Sequence, residues 1–80
     1  MSLFRLNIVA PDKVVYSGEV DYFIAPGEEG ELTVLSHHEP LVTGIREGSI
    51  RIKKEKEDIR EIPVQKGILE VSHNQATILL

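Results

Sequence analysis

Apolar and polar residues alternate with a period of two through most of the chain, and no stretch sustains the period of a helix. Phe4, Leu6 and Ile8 alternate with Arg5 and Asn7, the pattern of a half-buried strand that Pro11-Asp12 closes. A long β-rich run follows from Lys13 to Ala25, in which Gly18 marks a bulge or bend and Val20, Tyr22 and Ile24 line one face. A strand bent in this way can serve two sheets. Leu32 to Leu35 predicts a short strand with Leu32 and Val34 on one face. From Ile45 to Ile52, Glu47-Gly48 lies between two alternating segments, the spacing of a tight hairpin, with Ile50 and Ile52 facing in and Arg51 and Lys53 facing out. Glu61 to Val64 is another short strand; Pro63 cannot donate to a ladder and puts it at an edge or a strand end. Ile68 to Val71 and Ala76 to Leu80 flank Ser72-His73-Asn74-Gln75, a final hairpin whose Asn74 tolerates the left-handed turn conformation.

The punctuation between these segments is most concentrated from Ala25 to Thr43, APGEEGELTVLSHHEPLVT. Pro26-Gly27 reads as a type II turn, since Pro presets φ at the second position and Gly accepts positive φ at the third. Glu28, Glu29 and Glu31, with Gly30 among them, put three carboxylates around one acidic, exposed bend. Ser36 to Pro40 is a second irregular segment, in which the proline holds Glu39 extended. The mixed-sign run Lys53 to Asp58 reads as a solvated hairpin tip. Together these features predict an all-β fold, a two-sheet antiparallel β-sandwich or flattened barrel of about eight to ten short strands. Leu6, Ile8, Val20, Tyr22, Leu32, Val34, Ile50, Ile52 and Ile78 are its expected buried set.

Composition narrows the classes. The 80 residues make a single domain, 1–80, near the small end of what one core can stabilise. With 0 cysteines there is neither a disulfide framework nor a Cys-ligated zinc site. The longest apolar runs are far short of the ~20 residues that span a bilayer, and Met1 to Pro11 lacks a basic leader followed by a long apolar region. A soluble, cytoplasmic chain is therefore expected. Lys and Arg total 9 against 13 Asp and Glu, a net charge of −4 with no basic face, which makes nucleic acid a poor partner.

Candidate chemistry is thin. His37, His38, His73 and the carboxylates are residue types that ligate zinc or move protons, but adjacent histidines in a strand point to opposite faces and no HxH or HxxxH spacing occurs. No serine lies on a strand-to-helix elbow, and no glycine-rich loop with Lys and Ser/Thr opens a helix to cradle phosphate. No catalytic residue, metal ligand or cofactor is expected. A free-standing sandwich that binds a peptide or glycan, or acts as an adaptor, is an alternative; its mark would be an exposed aromatic platform, and the aromatic residues are only Phe4, Tyr16, Tyr22 and Phe23.

In order and spacing the chain resembles the N-terminal β-sandwich of the epsilon subunit of F-type ATP synthases, called delta in mitochondria. The resemblance rests on Tyr16-Ser17-Gly18, on GEEGEL from Gly27 to Leu32, and on His38-x-Pro40-Leu41-x-Thr43. It continues through Gly48-x-Ile50-Arg51-Ile52, then Gly67-Ile68-Leu69-Glu70-Val71 followed by Asn74-x-x-Thr77-Ile78-Leu79. Departures are Ser36-His37 where the family has Pro-Gly, Glu39 where it has a small residue, and Lys66-Gly67 for a Gly-Gly pair. Family members commonly continue into a C-terminal helical hairpin that can inhibit the motor and, in some bacteria, bind ATP. The eighty residues end at Leu80, and no such hairpin is expected within them.

The resemblance implies a non-catalytic central-stalk subunit of the rotor, clamped to the gamma subunit and resting on the c-ring of proteolipid subunits, coupling ion translocation to ATP synthesis. It implies a peripheral place on the cytoplasmic face of the energy-transducing membrane, with no direct membrane insertion. By position in the motif, Glu28, Glu29, Gly30 and Glu31 are expected to face the c-ring, and His38, Pro40, Leu41 and Thr43 to face gamma.

Overall fold

The computed structural model describes residues 2–55 and 57–80. Nine strands account for about three quarters of them: β1 (Phe4–Ala10), β2 (Lys13–Val20), β3 (Tyr22–Gly27), β4 (Gly30–Leu35), β5 (Leu41–Ile45), β6 (Gly48–Lys54), β7 (Glu57–Val64), β8 (Gly67–Ser72) and β9 (Gln75–Leu79). Hydrogen-bonded neighbours run β2-β1-β9-β8-β5-β3-β6-β7, with β4 on the other side of β3. The link between β5 and β3 is the single pair Ile45 and Gly27, so the sheet curls there into two halves that close on each other. Alternate residues of both halves form the core: Leu6, Ile8, Leu69 and Ile78 from one, Phe23, Val34, Ile50 and Ile52 from the other, all fully buried. The Phe4 and Phe23 rings meet across the sandwich with centroids 6.1 Å apart. On one open side the edges of β2 and β7 approach, and the Arg60 guanidinium lies 5.9 Å from the centre of the Tyr16 ring.

The expected all-β sandwich is what forms, and its antiparallel ladders have one exception: β1 and β9 run parallel. Most of the expected core is buried, but Tyr22 and Ile24 are only half-buried and Phe23 and Ala25 take their place. The cause is a corner at Asp21, which splits the Lys13-to-Ala25 run into two strands. Its N–H donates to the Lys53 carbonyl at 2.9 Å, and its carboxylate accepts from the Glu55 N–H. One residue spent on a corner reverses the face of every residue after it. Leu32, on the inward side of β4, is also half-buried.

Three local expectations are corrected. The bulge lies at Val15, left unpaired where Ile8 faces Tyr16 and Val9 faces Val14, whereas Gly18 pairs regularly with Leu6. Pro26-Gly27 is strand, not turn: Pro26 faces Glu31 and Gly27 faces Gly30, so Glu28-Glu29 make the bend and Gly30, at φ 131°, absorbs its exit. Glu47-Gly48 joins no hairpin, because β5 pairs with β8 while β6 pairs with β3 and β7; it carries the chain from one half of the sandwich to the other. The last hairpin is as expected. His73 (φ 47°) and Asn74 (φ 60°) both sit in the left-handed region between paired Ser72 and Gln75, a type I′ turn. Pro63 lies on the edge strand β7, and the Lys53-to-Asp58 run is a hairpin tip whose Lys56 lies outside the described residues.

Candidate functional site

The two loops singled out in the sequence lie at opposite ends of β4. Six residues of strand separate them by about 17 Å at ~3.3 Å per residue. They are distinct surfaces, connected by β4 and by the return of β5.

At one end, Glu28, Glu29, Gly30 and Glu31 are all exposed. The bend is held by its neighbours. Glu28 N–H donates to the Gly44 carbonyl at 3.0 Å, Arg46 N–H to the Pro26 carbonyl at 2.9 Å, and Arg46 Nη1 to the Glu28 carbonyl at 3.1 Å. Glu31 is paired with Arg51 at 3.1 Å across exposed surface. The Glu28 carboxyl rests on Gly44, where a Cβ would stand 2.3 Å from Glu28 Cδ. Only glycine leaves that seat open.

At the other end, the loop after β4 is tied to the start of β1 and the β8–β9 turn. Asn74 Oδ1 accepts from His37 N–H at 3.1 Å, and Asn74 Nδ2 donates to the Leu3 carbonyl at 3.4 Å. His38 donates from Nδ1 to the Glu39 carbonyl at 2.7 Å and is half-buried, while Pro40 is exposed. Leu41 and Thr43 leave this loop on the inward side of β5, both half-buried. The structure thus gathers His38, Pro40 and Leu41 at one end, and sets Thr43 further along β5 toward the acidic bend. His37, His38 and His73 lie around this same end, yet among the described residues no group of three or more His, Cys, Asp or Glu side chains is placed to hold a metal ion.

A surface that the sequence reading missed lies on the outer face of the first half. Gly44, Ile68, Leu79, Val9 and Val14 are successive cross-strand partners through β5, β8, β9, β1 and β2. Ile68 (52%), Leu79 (52%) and Val14 (64%) are open to solvent, as is Val42 (70%) one row away. The row of Glu70, Thr77, Asn7 and Ser17 beside Val42 is polar, and Arg5 Nη2 donates to Ser17 Oγ at 2.8 Å. The available signal was Ile68-Leu69 and Ile78-Leu79: adjacent apolar residues put hydrophobic groups on both faces of a strand, the mark of one covered on both sides.

Among the described residues no helix is long and apolar enough to cross a membrane. Comparison with known proteins gives a consistent picture. The ATP synthase epsilon chain of Desulforamulus reducens is 40% identical over 75 residues, covering 94% of this chain and 56% of that protein. The epsilon chain of Pelotomaculum thermopropionicum is 43% identical, over 94% of this chain and 55% of its own length. The chain thus spans a little over half the length of these curated relatives. In three dimensions the fold matches a chain of the Euglena gracilis mitochondrial ATP synthase with a TM-score of 0.88 at 20% identity, covering 96% of this chain and 49% of that one. A chain of the Tetrahymena thermophila mitochondrial ATP synthase central stalk and c-ring gives 0.76 at 16%, over 94% and 60%. The family profile for the ATP synthase delta/epsilon chain β-sandwich domain matches residues 3–80, and the chain belongs to that family.

Proposed function

We propose that the chain serves as the β-sandwich of a non-catalytic central-stalk subunit of an F-type ATP synthase, joining gamma to the c-ring and passing torque between ion translocation and ATP synthesis. Family membership over residues 3–80 carries this reading. The structure supports it mechanically: a small body whose core draws on every strand resists shear, and its two loop surfaces lie at opposite ends of one strand. The acidic bend faces the c-ring. The Ser36–Pro40 loop, with Leu41 and Thr43, faces gamma, whereas the apolar row of Ile68, Leu79 and Val14 lies on the outer face toward the acidic bend, level with Gly44. The subunit lies at the membrane surface, on the cytoplasmic face, without entering the bilayer.

The test is co-purification of the eighty-residue chain with gamma, and of the pair with the c-ring. Retention of both partners is expected. A well-folded chain that gamma does not retain would overturn the assignment.

A further inference from the structure

Three carboxylates crowd the bend between β3 and β4, but the molecule does not present them equally. Glu31 is engaged by Arg51, and Glu28 is drawn sideways onto β5, its carboxyl on the Cα of Gly44. Glu28 is also fixed through its backbone at both polar atoms, the N–H by Gly44 and the carbonyl by Arg46. Glu29, the second residue of the turn, is exposed with no side-chain partner among the described hydrogen bonds and ion pairs.

We propose that Arg46 and Gly44 are positioning residues for the acidic bend, holding Glu28 against β5 so that Glu29 is the carboxylate offered to the partner; this rests on the reading of the bend as the c-ring surface. The two act differently. Arg46 tethers backbone: its own N–H closes on Pro26 while its guanidinium closes on Glu28, so the end of β3 and the first residue of the bend are clamped from one residue. Gly44 supplies space. A side chain there must push out the far end of Glu28, which swings readily, so the fold survives but the charge moves off the face of β5 toward the tip.

Two measurements on the same variants test this. In the eighty-residue chain, amide exchange of the Glu28 N–H reports the clamp: Arg46→Ala should speed it about tenfold, whereas Arg46→Gln, which keeps a donor but not the charge, should restore most of the protection. Gly44→Ala should leave that exchange within about twofold of the native value. In the assembled synthase, Glu29→Gln and Arg46→Ala should each lower ATP-driven ion pumping about two- to fivefold at constant hydrolysis, the size of one exposed charge contact. Gly44→Ala should change pumping only while Glu28 is present, so that Glu28→Ser combined with Gly44→Ala returns it to the native level. Unchanged Glu28 exchange in Arg46→Ala, or Arg46→Gln behaving as Arg46→Ala, overturns the clamp. Faster exchange with no pumping loss in either Arg46→Ala or Glu29→Gln overturns instead the c-ring reading on which the proposal stands.

Discussion

At the scale of single residues, the buried side chains among the described residues are apolar with one exception. Ile50 is fully buried between the halves of the sandwich, so Ile50→Ala removes packed methylenes and leaves a cavity; a loss of about 2–5 kcal/mol is expected in urea unfolding. A loss under about half a kilocalorie would place the side chain at the surface. Asp21 is the exception, a buried carboxylate that turns the chain from β2 into β3 and holds the backbone of Glu55. Removing it with Asp21→Ala strips the Glu55 N–H of its acceptor and should cost about 1–3 kcal/mol, read in the same titration. Asp21 also marks where sequence reasoning lost the face. Val20, Tyr22 and Ile24 keep perfect alternation, so the pattern alone favours one unbroken strand; Phe23 and Ala25 become core only because a corner consumes one residue, and a lone aspartate does not announce a corner.

At the scale of elements, the legible parts were those that local chemistry decides. Pro11-Asp12 and His73-Asn74 close hairpins between strands that are neighbours in sequence and in space, and the edge place of Pro63 follows from its missing donor. The illegible parts depend on distant partners. Glu47-Gly48 has the spacing of a hairpin, yet its flanking strands find β8 and β3 instead, and the parallel β1–β9 pair joins the two ends of the chain. Of the candidate site, the exposed bend and the Ser36–Pro40 loop could be located from turn residues. That β5 turns Leu41 and Thr43 inward and Val42 outward required the register. The β8–β9 turn offers a test of this scale. Asn74 both occupies the left-handed region and ties the turn to His37 and Leu3. Asn74→Gly keeps the backbone but loses the ties, whereas Asn74→Ala loses both. The Ala variant should therefore be less stable than the Gly variant by about 1 kcal/mol in thermal unfolding, and the reverse order would show that the left-handed backbone at this position costs alanine nothing.

At the scale of the whole molecule, the two ends of β4 differ in kind, and a partner at each should feel different mutations. The His38 end combines a half-buried imidazole, an exposed proline and the exposed apolar side chains of Leu35 and Val42, so a partner seated there would desolvate them. His38→Glu would bury an unpaired carboxylate next to Glu39 and should weaken gamma binding by about 2–5 kcal/mol, chiefly through faster dissociation in surface plasmon resonance. The acidic bend is exposed throughout, so on the proposed reading it acts through charge. Glu29→Gln should leave gamma binding within about 0.5 kcal/mol of the native value. It should instead reduce pumping per ATP hydrolysed in the assembled enzyme, and the difference from the native enzyme should shrink as salt is raised, because exposed charges are screened beyond ~8–10 Å. If Glu29→Gln abolished gamma binding while His38→Glu left it intact, the two partners would have to exchange ends.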